Sequence, residues 1–335
     1  MGDTSSGKSS VLSAISGIAF PSSDELTTRC PTQLILTHAP TLSGTVRLVR
    51  FTPSLEAPDQ PKAISSLAEV TASIQSLTKK LVKEGQCISD DAIEIKMQGP
   101  DFPNLTLTDL PGLVRTVSDK ENPAIIGRVR KLVDRYLVQA RTIILAVVPA
   151  NVDMHNTEIM QAAGEADPLG TRTISIITKP DLVDAGSERA VVELLLNRTK
   201  MRRLGYHMVK CRGQAALNKG ETIEASRAKE MAYFDAHPVW CTVDKALLGA
   251  DRLAAKLAEL LVETIASEMP AVFAEIDAQM DTVKTKLLEM GDPMTTPGAR
   301  RLCYMTTVRS ITDRIEKALD GNYNDPFFNN DKDDN

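Results

Sequence analysis

Gly2-Asp3-Thr4-Ser5-Ser6-Gly7-Lys8-Ser9 fits the pattern GxxxxGK[ST] at every position. Those residue types at that spacing hold phosphate. Gly2 and Gly7 let the backbone wrap closely round phosphate oxygens, and the amides of the turn through Ser5, Ser6 and Ser10 point inward. Lys8 neutralises the β- and γ-phosphates of a nucleotide, and the Ser9 hydroxyl ligates Mg²⁺. In a chain of 335 residues of average usage, a chance match has odds of roughly one in a hundred. A Ser/Gly-rich flexible terminus is the alternative; the helix-compatible residues Ser10–Ser16 favour the loop. A phosphate loop ordinarily leaves the end of a central β-strand. Before Gly2 there is room for none, so the expectation is a domain whose first strand is missing.

Two further patterns give the loop its chemistry. A DxxG occurs twice, as Asp109-Leu110-Pro111-Gly112 and Asp167-Pro168-Leu169-Gly170, and about one is expected by chance in this length. Context separates them. Asp109 ends the apolar-alternating run Leu105–Thr108, where a carboxylate reaches the water shell of a metal and Gly112 offers its amide to a γ-phosphate. Asp167 follows a helix and precedes a strand, the wrong end of a sheet for phosphate. Thr178-Lys179-Pro180-Asp181 directly follows the strand-like Thr173–Ile177. There Asp181 accepts two hydrogen bonds from the N1–H and N2–H₂ edge of guanine, a donor pair that adenine lacks, and the Lys179 stem lies along the base. Alone, this tetrapeptide reads as a charged turn; after a phosphate loop and a DLPG in this order, it reads as guanine recognition.

These residues need a sheet to hold them. Thr32–Thr37, Thr45–Phe51, Ala92–Met97, Leu105–Thr108, Ile143–Val148, Thr173–Thr178 and Tyr206–Cys211 read as strands. The β-branched runs without alternation suit interior strands of a parallel sheet. Ser65–Glu84 and Pro123–Arg141 carry helical spacing, the second with proline in its first turn. Strand–helix alternation predicts an α/β fold with a mainly parallel sheet flanked by helices. After Val243 the character becomes helical. Asp251 is expected to cap a helix that Pro270 interrupts or kinks, Gly291-Asp292-Pro293 breaks it, and Pro297 starts another. The pair either packs on the sheet domain or extends as a lever. The expected organisation is a nucleotide domain over 1–268, hinge and partial stalk helices over 269–320, and a disordered Asn/Asp-rich tail over 321–335.

Bulk properties remove other classes. The net charge of −5 is no general footprint for nucleic acid, so direct nucleic-acid binding is not expected. Cys30, Cys87, Cys211, Cys241 and Cys303 are scattered and odd in number, which argues for reduced thiols in a cytoplasmic protein. His38, His155, His207 and His237 form no cluster. No run approaches the roughly 20 apolar residues of a membrane span.

The segments GDTSSGKSSVL (Gly2–Leu12), TTRCPT (Thr27–Thr32), LTDLPGL (Leu107–Leu113), ILAVVPANVD (Ile144–Asp153), TKPDLVDAG (Thr178–Gly186) and GYHMVKCRGQ (Gly205–Gln214) together resemble the dynamin superfamily, with VKCRGQ closest to its Mx-like branch. The resemblance runs to about Leu319. It implies a GTPase with GTP or GDP and Mg²⁺, and a monovalent cation (K⁺ or Na⁺) held at Ser5. Thr28 matches the switch threonine that closes on Mg²⁺ and helps hold the attacking water. Arg212 and Gln214 match residues beside the guanine, and the position of Thr4 matches one that helps place water. Thr157–Thr171 resembles a loop reaching across a G-domain dimer, although a plain surface loop fits as well. Self-association through G domains is implied, as are membranes, microtubules or viral nucleoprotein as targets in relatives, with peripheral membrane attachment. Three features depart from the pattern: Thr4 stands where glutamine is usual, Ser23 and Glu25 where glycines are usual, and the strand and hinge helix before the loop are absent. The alternative to a mechanochemical GTPase is a nucleotide-binding assembly module that hydrolyses little.

Overall fold

The computed structural model describes residues 1–20, 28–51, 60–83, 88–100, 102–113, 124–154, 157–213, 216, 219–291, 293–324 and 327. The chain divides into two compact units, Met1–Glu268 and Met269–Asn335.

In the first unit, β1 (Thr32–His38), β2 (Ser43–Val49), β3 (Lys62–Ile64), β4 (Ala92–Gly99) and β5 (Leu105–Asp109) form one sheet in the order β3-β2-β4-β1-β5. β6 (Ile144–Pro149), β7 (Thr173–Thr178) and β8 (Tyr206–Met208) form a second, in chain order. The second sheet is parallel throughout. The first is mixed: β1 pairs with β4 in parallel, but β1–β5, β2–β3 and β2–β4 are antiparallel. The predicted mainly parallel sheet therefore corresponds to the second half only. The difference is visible in the side chains. β7 is buried at all six positions, as suits a strand covered on both faces, whereas β4 alternates buried with partly or fully exposed residues, the mark of strands with one wet face.

Alternate residues of β6 and β7 serve two cores. Val147, Ile174 and Ile176 face one, with Val11 and Ile15 of α1 (Lys8–Ser16) and Val70 and Ile74 of α2 (Leu67–Lys83). Ile144, Ala146, Val148 and Ile177 face the other, with Val129 and Leu132 of α3 (Ala124–Leu137), Ile159 of α4 (Glu158–Ala166), Val191 of α5 (Glu188–Leu195) and Phe234 of α6 (Ile223–Ala236). The result is a three-layer α/β sandwich. Pro123, placed by the sequence in the first turn of α3, lies outside the described residues.

The two sheets meet at the start of the chain. The Met1 ammonium donates to Leu145 O at 2.7 Å, and Val147 N donates to Met1 O at 2.7 Å. On the other side Leu113 N donates to Gly2 O at 3.2 Å and Thr4 N to Leu113 O at 3.1 Å, a parallel bridge between Asp3 and Leu113. Met1–Asp3 thus runs as a minimal strand between β6 and the segment after β5. That seats the phosphate loop at the carboxyl ends of parallel strands, where ligands bind in such folds.

Helix α7 (Ala250–Met290) begins two residues earlier than a cap at Asp251 implies, and it continues through Pro270. Asp251 lies in its first turn rather than at its cap. A proline removes one hydrogen bond and crowds one carbonyl, at about 3 kcal/mol; many intact turns on either side carry the helix across it. In the second unit α8 (Pro297–Leu319) starts at Pro297, with the Thr296 hydroxyl accepting from Ala299 N at 3.2 Å. Phe273, Ile276 and Met280 of α7 and Met305, Val308 and Ile311 of α8 are exposed. Most of the tail after 321 lies outside the described residues.

Asp167 fastens the opposite end of the sheet. Its carboxylate accepts from Thr171 N (2.9 Å), Thr171 Oγ1 (3.1 Å), Arg172 N (3.0 Å) and Thr173 Oγ1 (2.6 Å). The Arg172 guanidinium then donates to the carbonyls of Thr142, Leu137 and Ala166. The second DxxG is a structural turn. Asp167→Ala is expected to cost about 3 kcal/mol in urea unfolding, because one buried and three partly buried hydrogen bonds lose their acceptor, while GTP affinity stays within about twofold. Burial raises this carboxyl, but the Thr173 hydroxyl and the Arg172 and Thr171 amides outweigh it and hold it below its ordinary 3.8. The stabilisation is therefore present above pH 3.8 and lost as pH falls through the lower folded value. A loss of GTP affinity at unchanged stability would restore a ligand role.

Candidate functional site

The loop closes through left-handed backbone at Ser5 (φ 59°) and Gly7 (φ 94°), which glycine adopts at no steric cost. Gly2 is needed for a different reason. A Cβ there would stand 2.4 Å from Ser6 Oγ and 2.5 Å from Val147 O, so any side chain would lift the loop off β6. Ser6 is buried and its Oγ has no hydrogen-bond partner among the described residues. Lys8 is buried at the first position of α1, and its Nζ donates to Asp3 O at 3.0 Å. Burial lowers its pKa, against the pull of Asp109 and Asp3. A buried cation at the start of a helix, beside the turn that precedes it, is a preformed anion site.

Asp109 is the hub. It ends β5, is 3% exposed, and its Oδ2 accepts from Ser9 Oγ at 2.9 Å and Thr28 Oγ1 at 3.3 Å. Its Oδ1 is buried without a partner among the described residues. Burial raises this carboxyl, while Lys8 and the Ser9 hydroxyl oppose the rise. The fold thus brings together Ser9, Thr28 and Asp109, the three residues assigned to the metal from sequence. Gly112 follows three residues on. A Cβ on it would meet Lys8 Nζ at 2.8 Å and Thr4 Cα at 3.0 Å, so the DLPG turn lies directly against the phosphate loop.

The guanine motif adjoins the loop. Thr178 Oγ1 donates to Ser6 O at 2.7 Å. Lys179 takes the left-handed region (φ 54°), and Pro180–Leu182 forms a 3₁₀ turn that leaves Asp181 exposed. Arg212 donates to Glu221 O at 2.7 Å, and with Ser10, Lys210 and Cys211 it lines a cavity of about 240 Å³. Gln214, Ser23 and Glu25 lie outside the described residues. The Thr4 hydroxyl donates to Leu113 O at 3.2 Å, against the DLPG segment. The Thr157–Thr171 segment contains α4, whose Ile159, Met160, Ala162 and Ala163 are buried; its start meets the phosphate loop at Asp3, and Leu169 near its end is exposed. Sequence reasoning missed Asp3, whose carbonyl holds Lys8 and whose carboxylate accepts from Ile159 N at 3.3 Å; as a variable position of the motif it gave no signal.

Described residues supply no group of three or more His, Cys, Asp or Glu side chains able to cage a metal. Mg²⁺ does not need one, since it keeps waters and takes one or two protein oxygens beside phosphate. The hard oxygens of Ser9, Thr28 and Asp109, with Asp109 Oδ1 unpartnered among the described residues, fit that ion.

A phosphate loop at a strand end, a carboxylate with two hydroxyls beneath it and a guanine-type turn define a P-loop nucleotide-binding domain. The Dynamin family profile matches residues 1–180, and the Dynamin central region profile matches residues 190–333. The chain belongs to the dynamin family. It is 34% identical over 307 residues to "Interferon-induced GTP-binding protein Mx" of Solea senegalensis, covering 91% of this chain and 48% of that protein. It is 35% identical over 321 residues to Mx3 of Oncorhynchus mykiss (95% and 50%) and 32% identical over 323 residues to Mx2 of Homo sapiens (96% and 44%). The chain spans about half the length of these relatives.

Gly112→Ala is expected to drive the DLPG turn away from Lys8. GTP affinity should fall about tenfold, with GDP, which lacks the γ-phosphate, affected less. Equal loss for both nucleotides in a fluorescence titration would remove Gly112 from γ-phosphate contact.

Proposed function

We propose that this chain binds GTP with Mg²⁺ and hydrolyses it to GDP and phosphate. The observation that carries the proposal is the meeting of Ser9 and Thr28 on one oxygen of buried Asp109, with the other oxygen unpartnered among the described residues and Lys8 close by. The loop amides and Lys8 take the phosphates, Gly112 meets the γ-phosphate, and Asp181 with Lys179 and Arg212 selects guanine. Ser9, Thr28 and Asp109 would hold Mg²⁺, which supplies charge neutralisation when bound. Thr28 also positions the attacking water. Such catalysis is positioning and electrostatics, without a covalent intermediate.

Two finer features belong to the same proposal. A monovalent cation at Ser5 would replace an arginine finger, which makes phosphate release dependent on K⁺ or Na⁺. Pairing of two G domains across the nucleotide face would order Thr28 and raise turnover with protein concentration. Action on membranes, microtubules or a viral nucleoprotein is a proposal for the whole protein, as is a cytoplasmic location. The second reading is an assembly module that binds GTP and hydrolyses little; the Thr4 hydroxyl, spent on Leu113 O, favours it. A steady-state phosphate-release assay with and without K⁺, at rising protein concentration, separates the two. Release above the buffer blank that grows faster than concentration supports the enzyme, and no release at any concentration supports the module.

Lys8→Ala should weaken GTP binding at least about tenfold, or roughly 1.4 kcal/mol. Unchanged affinity would refute phosphate binding at the loop. Asp181→Asn should shift preference from GTP toward XTP, because xanthine offers a carbonyl where guanine has its amino group. If parent and variant discriminate the two alike, Asp181 does not face the base.

A further inference from the structure

Two elements that the proposed nucleotide touches are tied to the first turn of α7 by side chains one turn apart on α6. Glu230 is 5% exposed. Its Oε1 accepts from Lys210 N at 2.6 Å, at the head of the segment carrying Arg212, and its Oε2 accepts from Ala250 N at 3.0 Å. Arg227 donates from Nη2 to Ala14 O of α1 at 2.6 Å, and its Nε lies 3.1 Å from the Asp251 carboxylate. The amide of a helix's first residue has no partner within the helix. Here the partner is a side chain whose second oxygen holds the guanine segment.

The surroundings leave this link little slack. Gly249 N donates to Met208 O at 2.9 Å, and Gly249 O lies 2.8 Å from His207 Nε2. Gly249 has φ 92°, and a Cβ on it would meet Met231 Sδ at 3.1 Å. Burial raises the Glu230 carboxyl, and the amides of Ala250 and Lys210 pull it back. A shift of Lys210 by more than a few tenths of an ångström must therefore move the carboxylate, lose a buried hydrogen bond, or displace Ala250.

We infer that Glu230 is a positioning residue for the guanine segment and that its shared carboxylate couples occupancy of that segment to the first turn of α7, with Arg227 forming a second strut from α1. This rests on guanine nucleotide lying against Arg212. Glutamine at 230 cannot serve both amides, since its NH₂ would face one of the two N–H groups.

The test is amide hydrogen exchange on the full chain, with and without saturating GDP, followed at the Ala250 amide and over residues 2–16. In the parent, GDP should slow both, at Ala250 by about fivefold or more. In Glu230→Gln the slowing at Ala250 should vanish while residues 2–16 remain protected, and GDP affinity should fall about tenfold. Parent protein that slows at 2–16 but not at Ala250 overturns the coupling, as does Glu230→Gln that keeps the slowing. No slowing at 2–16 in the parent overturns nucleotide binding itself. Should Glu230→Gln fail to fold, Arg227→Gln alters a side chain that is 32% exposed. It should keep GDP affinity within about threefold yet reduce the slowing at Ala250; full slowing there would count against the coupling.

Discussion

The site depends on one buried carboxylate. Asp109 ends β5 with two hydroxyls on one oxygen and, among the described residues, none on the other, close to a lysine that is itself buried. The two charges do not pair directly: Lys8 donates to the Asp3 carbonyl instead. Removing both from water costs several kcal/mol per ion, and a fold retains such an arrangement only where the rest of the structure holds it. A polyanionic ligand with a divalent cation meets both needs, the cation at Asp109 and the phosphate at Lys8. Because the groups are fixed before the ligand arrives, little reorganisation is left for the moment of reaction.

What holds them is backbone. Met1–Asp3 links β6 on one side to Leu113 on the other, and Thr178 at the end of β7 donates to the carbonyl of Ser6. The phosphate loop is therefore fixed by both sheets and by the guanine turn. Gly2 and Gly112 are the points where backbone or lysine comes too near for a side chain.

Much of this was legible in the sequence. The loop, the DLPG, the TKPD turn and the β-branched strands carried their own local signals, and the fold sets the loop, the DLPG and the TKPD turn beside one another. Thr28 was assigned through resemblance alone, and it reaches Asp109. The mixed sheet was not legible: Ala92–Met97 read correctly as a strand, but its sequence does not state strand direction. Pro270 does not interrupt the helix, because its local cost is smaller than what a helix of 41 residues gains. Asp251 misled because a side chain's partner is decided by tertiary placement. The same holds for Glu230, whose two amide partners lie 20 residues away in opposite directions.

The central claim is that a guanine nucleotide and Mg²⁺ occupy the space between Lys8, Asp109 and Asp181. Its most direct measurement is a titration of the chain with fluorescent GTP and ATP analogues, each in excess Mg²⁺ and in EDTA. GTP should bind at least about a hundredfold more tightly than ATP, since adenine brings no donor pair to the Asp181 carboxylate, and EDTA should weaken the GTP complex about tenfold or more. Equal affinity for the two nucleotides, or a GTP complex indifferent to EDTA, would contradict the account.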